Sequence, residues 1–69
     1  MDNKILRLPA VKSMTGLSRS LIYDMVAKGN FPIPISLGAR AVGWLESEIS
    51  AWIEKKVQQR DGRKQAAQS

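Results

Sequence analysis

The sequence predicts a mostly α-helical fold with one small β-hairpin, its elements in the order α-α-β-β-α. Three observations carry this reading. Two short stretches with apolar residues at helical spacing meet at Thr15-Gly16, alternating apolar and polar residues flank a Gly-containing turn at residues 38–41, and Ile49, Trp52, Ile53 and Val57 form a stripe on a final helix. A chain of 69 residues holds one domain with a core near the lower limit for independent folding.

The first helix is expected over residues 9–14. Pro9 suits a first turn because its missing N–H has no partner there in any case, and Leu8, Val11 and Met14 recur at a spacing of three. Gly16 supplies the left-handed residue that ends the helix, and the Ser18 hydroxyl caps the next one. Leu17 and Ile22 then occupy the two positions of a hydrophobic staple, fixing the angle at which the chain runs into the second helix.

That second helix is expected from Arg19 to about Lys28, stopped by Gly29-Asn30 with Pro32 and Pro34 beyond. Leu21, Ile22, Met25 and Val26 fill the arc expected in the core; Arg19, Ser20, Tyr23, Asp24 and Ala27 fill the opposite arc. Two short helices joined by a Gly turn, the second with an outer face bearing Arg and Tyr, match a helix-turn-helix.

Ile35-Ser36-Leu37 and Val42-Gly43-Trp44 are the expected strands, with Arg40 near the tip and Ile35, Leu37, Val42 and Trp44 pressing one face onto the helices. The third helix is expected from Glu46-Ser47 to about Gln59, ended by Asp61-Gly62. Residues 1–7 are then an N-terminal arm, 8–60 the domain, and 61–69 a polar, basic, disordered tail.

Without Cys or His the chain lacks a thiol nucleophile, an imidazole base and the usual zinc, haem or iron–sulfur ligands. Its six carboxylates form no catalytic pair and no glycine-rich phosphate loop is present. No catalytic residue, metal, cofactor or small-molecule ligand is expected, and the sequence reads as neither secreted nor membrane-spanning. The net charge of +5 points to a polyanionic partner. The excess is uneven: residues 1–45 carry six basic and two acidic side chains, while residues 46–60 are neutral.

Arg19, at the start of the second helix, is placed to meet guanine O6 and N7. Ser20 shares its face. Tyr23, one turn on, has two roles open: touching a thymine methyl or phosphate, or packing under the hairpin. Ser18 is first a cap, although the N–H groups beside it could meet a phosphate. Arg40 suits a narrow minor groove or the backbone, and Arg7, Lys12 and Lys28 are either phosphate anchors or ordinary surface charges. Asp24 can accept from a cytosine N4 or pair with Lys28. Trp44 and Trp52 belong to packing.

Arg7-Leu8-Pro9, Thr15-Gly16-Leu17-Ser18-Arg19-Ser20 with Tyr23, Phe31-Pro32-Ile33-Pro34, Leu37-Gly38 with Arg40, and Val42-Gly43-Trp44-Leu45 followed by Ala51-Trp52-Ile53 resemble the AlpA family of prophage regulatory proteins. The resemblance implies a winged helix-turn-helix, similar to excisionases and to the DNA-binding head of MerR regulators. It also implies sequence-specific binding to double-stranded DNA in the bacterial cytoplasm, with the second helix in the major groove and the hairpin wing on flanking backbone or minor groove. Two roles follow from it: activating an integrase gene, or directing excision beside an integrase. A third reading has the domain inhibiting a response regulator or another acidic protein. No zipper follows the third helix, so a monomer is expected in free solution, with further copies meeting on DNA.

Overall fold

The computed structural model describes residues 4–68, with side chains over residues 4–62. Its elements are β1 (Ile5–Leu6), α1 (Leu8–Thr15), α2 (Arg19–Ala27), β2 (Ile35–Gly38), β3 (Ala41–Leu45) and α3 (Glu46–Gln68). The first two helices begin and end where local chemistry dictates. Pro9 lies in the first turn of α1, and the Thr15 hydroxyl donates back to the Val11 carbonyl at 2.8 Å. Gly16 follows at φ 73°, a left-handed conformation that costs glycine nothing, and its N–H donates to the Lys12 carbonyl at 2.7 Å. Ser18 is extended, and its hydroxyl accepts from the Leu21 N–H at 3.2 Å, capping α2. At the far end, the Gly29 and Asn30 N–H groups reach back to the Val26 and Met25 carbonyls, closing α2 with a Schellman motif.

The sheet has three strands in the order β1-β3-β2, both pairings antiparallel. Part of the expected N-terminal arm is therefore a strand. Ile5 pairs with Leu45 and Leu6 with Trp44, and the Lys4 carbonyl accepts from the Glu46 N–H at 2.7 Å. Residues 1–3 of that arm lie outside the described residues. Gly43 makes the third strand possible. A Cβ there would stand 2.5 Å from Ile5 Cγ2, so that one of the two must shift, and 3.0 Å from the Leu6 carbonyl oxygen, a tight contact with backbone.

The core comprises Leu6, Val11, Ile22, Phe31, Trp44 and Ile49, with Leu17, Met25, Val26, Val42, Trp52 and Ile53 packed around them. Trp44 is fully buried at its centre, its indole N–H donating to the Pro32 carbonyl at 2.8 Å. Phe31 lies edge-on to both Trp44 and Trp52, with ring centroids 6.4 Å and 4.8 Å away, so each buried aromatic meets another in a favourable geometry.

Three further expectations need correction. Ile35 and Leu37 are exposed rather than pressed onto the helices. They lie on the outer edge strand, and the irregular step between the Ser36–Val42 and Gly38–Ala41 pairs leaves Leu37 as an extra, bulged residue. Leu21 is exposed too, because a turn of about 100° per residue sets it well off Ile22, beyond the edge of the arc that Met25 and Val26 bound. Finally, α3 does not stop at Asp61-Gly62 but continues to Gln68, so the expected disordered tail is helical over residues 61–68. A single Gly costs a helix only about 1 kcal/mol, and the Arg, Lys, Gln and Ala residues after it are strong helix formers. Ser69 lies outside the described residues. At 1.5 Å per residue, α3 reaches about 35 Å. This accounts for a radius of gyration of 13.9 Å, against about 11 Å for a compact chain of this length.

Candidate nucleic-acid interface

The first turns of α2 gather four of the residues singled out from sequence. Ser18 caps the helix; Arg19, Ser20 and Tyr23 follow, and all four are exposed. The Arg19 guanidinium lies 5.8 Å from the Tyr23 ring centroid, a contact that holds the long Arg side chain along the helix face. On its other side the Tyr23 ring is tilted against Trp44, with centroids 6.2 Å apart. The packing role open to Tyr23 is met, since its ring borders the core, and about a third of the residue, at 36%, remains accessible. Trp44 supports Tyr23, and Tyr23 in turn supports Arg19.

Lys28 lies nine residues beyond Arg19, about 13 Å along the helix. Its ammonium meets the Asp24 carboxylate at 3.1 Å, so Asp24 takes the second of the two roles open to it. Both side chains are more than half exposed, and such a pair contributes only about 0–1 kcal/mol. A phosphate can therefore exchange with Asp24 at little cost. Arg7 is the N-cap residue of α1 and Lys12 lies in its last turn; both are exposed and stand apart from the α2 cluster in sequence and element.

Arg40 sits in the two-residue loop between β2 and β3 with φ 63°. A left-handed conformation in a residue carrying a Cβ costs about 1–2 kcal/mol, so this Arg occupies a position that glycine would fill more stably. Its side chain is exposed at the end of the hairpin.

Sequence reasoning missed one basic feature. Trp52, Lys56 and Arg60 follow one another at intervals of four along α3, and the Lys56 ammonium lies 5.4 Å from the Trp52 ring centroid. The Lys55-Lys56 to Lys64 stretch reads from sequence as a basic arm or a solvated helix end, and a helix ending near Gln59 leaves Arg60 off this face. Among the described residues no group of carboxylates is placed to hold a metal ion, and no helix is long and apolar enough to cross a membrane.

A Gly-turned pair of short helices, an outward Arg and Tyr on the second, and a hairpin closing a small antiparallel sheet define a winged helix-turn-helix. The chain belongs to the AlpA family: the family model described as Prophage CP4-57 regulatory protein (AlpA) matches residues 4–57. It is 46% identical over 56 residues to the uncharacterized protein ORF88 of Enterobacteria phage P4, covering 81% of this chain and 64% of that protein. It therefore spans a little under two thirds of the phage relative's length. It is also 41% identical over 59 residues to the DNA-binding transcriptional activator AlpA of Escherichia coli K12, covering 77% of this chain and 84% of that protein.

Proposed function

We propose that this protein is a DNA-binding transcription regulator of a prophage, with the outer face of α2 in the major groove and the β2–β3 wing on flanking backbone or minor groove. The observation that carries this reading is the first turn of α2. Ser18 spends its hydroxyl on capping, Tyr23 is braced on Trp44, and Arg19 is left exposed at the helix start, where recognition helices present side chains to base edges. Arg40 supports the wing contact, because its charge is exposed at the end of the hairpin in a left-handed position that glycine would fill more stably. The E. coli relative is named a DNA-binding transcriptional activator, which favours activation; an integrase gene as the target is what the sequence resemblance implies.

Copies of the protein are expected to meet on DNA rather than before it. Beyond Val57, α3 carries no Leu, Ile, Val, Met or aromatic residue, so it offers no seam for a coiled coil. The same property suits an excision factor that lines up on adjacent sites beside an integrase, the second reading. One domain of this kind covers only about 600–1,000 Å² on DNA. Affinity then comes from neighbouring sites.

Anisotropy titrations of labelled duplex DNA at several salt concentrations test the proposal. If Arg7, Lys12, Lys28 and Arg40 each neutralise a phosphate while Arg19 reads a base, log K falls against log salt with a slope of about −3.6, or about −2.7 if Lys28 keeps Asp24. Amide shifts on adding DNA should centre on residues 18–23 and 39–41. A slope near zero, or shifts confined to α3, would overturn the proposal.

A further inference from the structure

One apolar surface has no part in the DNA reading. Between the C-terminal end of α1 and the middle of α3 lies an open groove of about 300 Å³, floored by Met14, Trp52, Ile53 and Val57 and flanked by Lys56 and Arg60. Met14 is 40% exposed although Val11, one turn earlier on α1, is fully buried. The floor is thus continuous with the core but uncovered. Its lining comes from α1 and α3 alone and includes no residue of α2 or the wing.

The rim supplies the second observation. Lys56 and Arg60 stand four residues apart on one face of α3, about 6 Å between their Cβ atoms, and present two positive charges along one edge of an apolar trough. Arg60 is held by Asp61 through Nε and Nη2, at 3.0 Å and 2.9 Å, but both side chains are more than half exposed, so an incoming carboxylate can replace Asp61 cheaply. DNA is a poor occupant, because a phosphate backbone has nothing to lay on the four apolar side chains. An amphipathic segment with Leu or Phe anchors and carboxylates along one flank matches both the floor and the rim.

We infer that this groove docks a short, acidic, amphipathic segment of a partner protein, and that Lys56 and Arg60 select its charge. The inference is independent of the DNA reading. A regulator whose DNA face is on α2 and the wing keeps this surface to recruit a second protein to the same site.

The test uses the full chain and an array of synthetic peptides about twelve residues long, each with two Leu or Phe anchors one helical turn apart, made in acidic, neutral and basic versions. Acidic peptides should bind saturably and about tenfold more tightly than the neutral versions, with amide and indole shifts at Met14, Trp52 and Val57. Lys56→Glu with Arg60→Glu should abolish that preference, and Lys56→Gln with Arg60→Gln should reduce it, both without changing the melting temperature, since each residue is exposed. The inference fails if no acidic peptide saturates, if the three versions bind alike, or if the preference for acidic peptides survives the double reversal. It also fails if duplex DNA shifts these same residues and displaces the peptide, which would make the groove part of the DNA surface.

Discussion

Replacing Arg40 with glycine should stabilise the domain and weaken its hold on DNA at once. The left-handed φ of 63° costs a residue with a Cβ about 1–2 kcal/mol. Glycine removes that cost but gains freedom in the unfolded chain, returning about 0.5–1 kcal/mol. The net is a stabilisation of about 0.5–1 kcal/mol, or roughly 2–8 °C in Tm for a domain of this size. The same change deletes one cation from the wing, so the salt slope of DNA binding should become shallower by about 0.9. Arg40→Ala separates the two effects. It keeps the Cβ and the strain, so Tm should stay put while the slope falls as it does in the glycine variant. Circular-dichroism melts and salt-series anisotropy on the three proteins check this. A lower Tm for Arg40→Gly would show that the side chain serves folding, and an unchanged slope in both variants would remove the wing from the interface.

Gly43→Ala should cost about 1–3 kcal/mol, because its Cβ meets the Leu6 backbone at 3.0 Å and Ile5 at 2.5 Å; faster hydrogen exchange at the Glu46 amide would report the loss of β1. Ile5→Ala should recover part of that cost in the double variant, and failure to do so would place the clash elsewhere. Ser18→Ala should lose about 1 kcal/mol as the Leu21 N–H goes uncapped, read by urea denaturation with an unchanged m-value. Trp52→Ala should cost about 3–5 kcal/mol, since it removes the ring stacked edge-on with Phe31 and leaves the Asn30 carbonyl without its indole partner. A Trp52→Ala variant that melts like the parent would move Trp52 out of the core.

The parts of this fold that were legible in the sequence are those set by neighbours along the chain. Pro9, Gly16, Ser18 and Gly29 each act within a turn of where they stand, so both ends of α1 and α2 could be read to within a residue or two. The cluster of Ser18, Arg19, Ser20 and Tyr23 came with them, because α2 is short and its core arc is unambiguous at Ile22, Met25 and Val26. What escaped depends on distant partners. Ile5-Leu6 has no strand signal of its own and becomes β1 only because Gly43, far along the chain, leaves room beside it. The exposure of Ile35 and Leu37 follows from strand order and from a bulge, neither of which leaves a local mark. The end of α3 is illegible for a different reason: Gly62 reads as a terminator, yet it stays within the helix among good helix formers.

In the proposed function the outer face of α2 reads bases, and Arg19 is its main reader. The most direct measurement is selection of bound duplexes from a random-sequence pool by the parent protein and by Arg19→Ala, followed by titration of the enriched sites. The parent should enrich a short motif containing a guanine, and the variant should lose preference at that one base pair by about 1–3 kcal/mol while retaining the rest of the motif. An identical motif from both proteins, or an equal loss of affinity on selected and random duplexes, would contradict base reading by Arg19 and reduce it to a phosphate anchor.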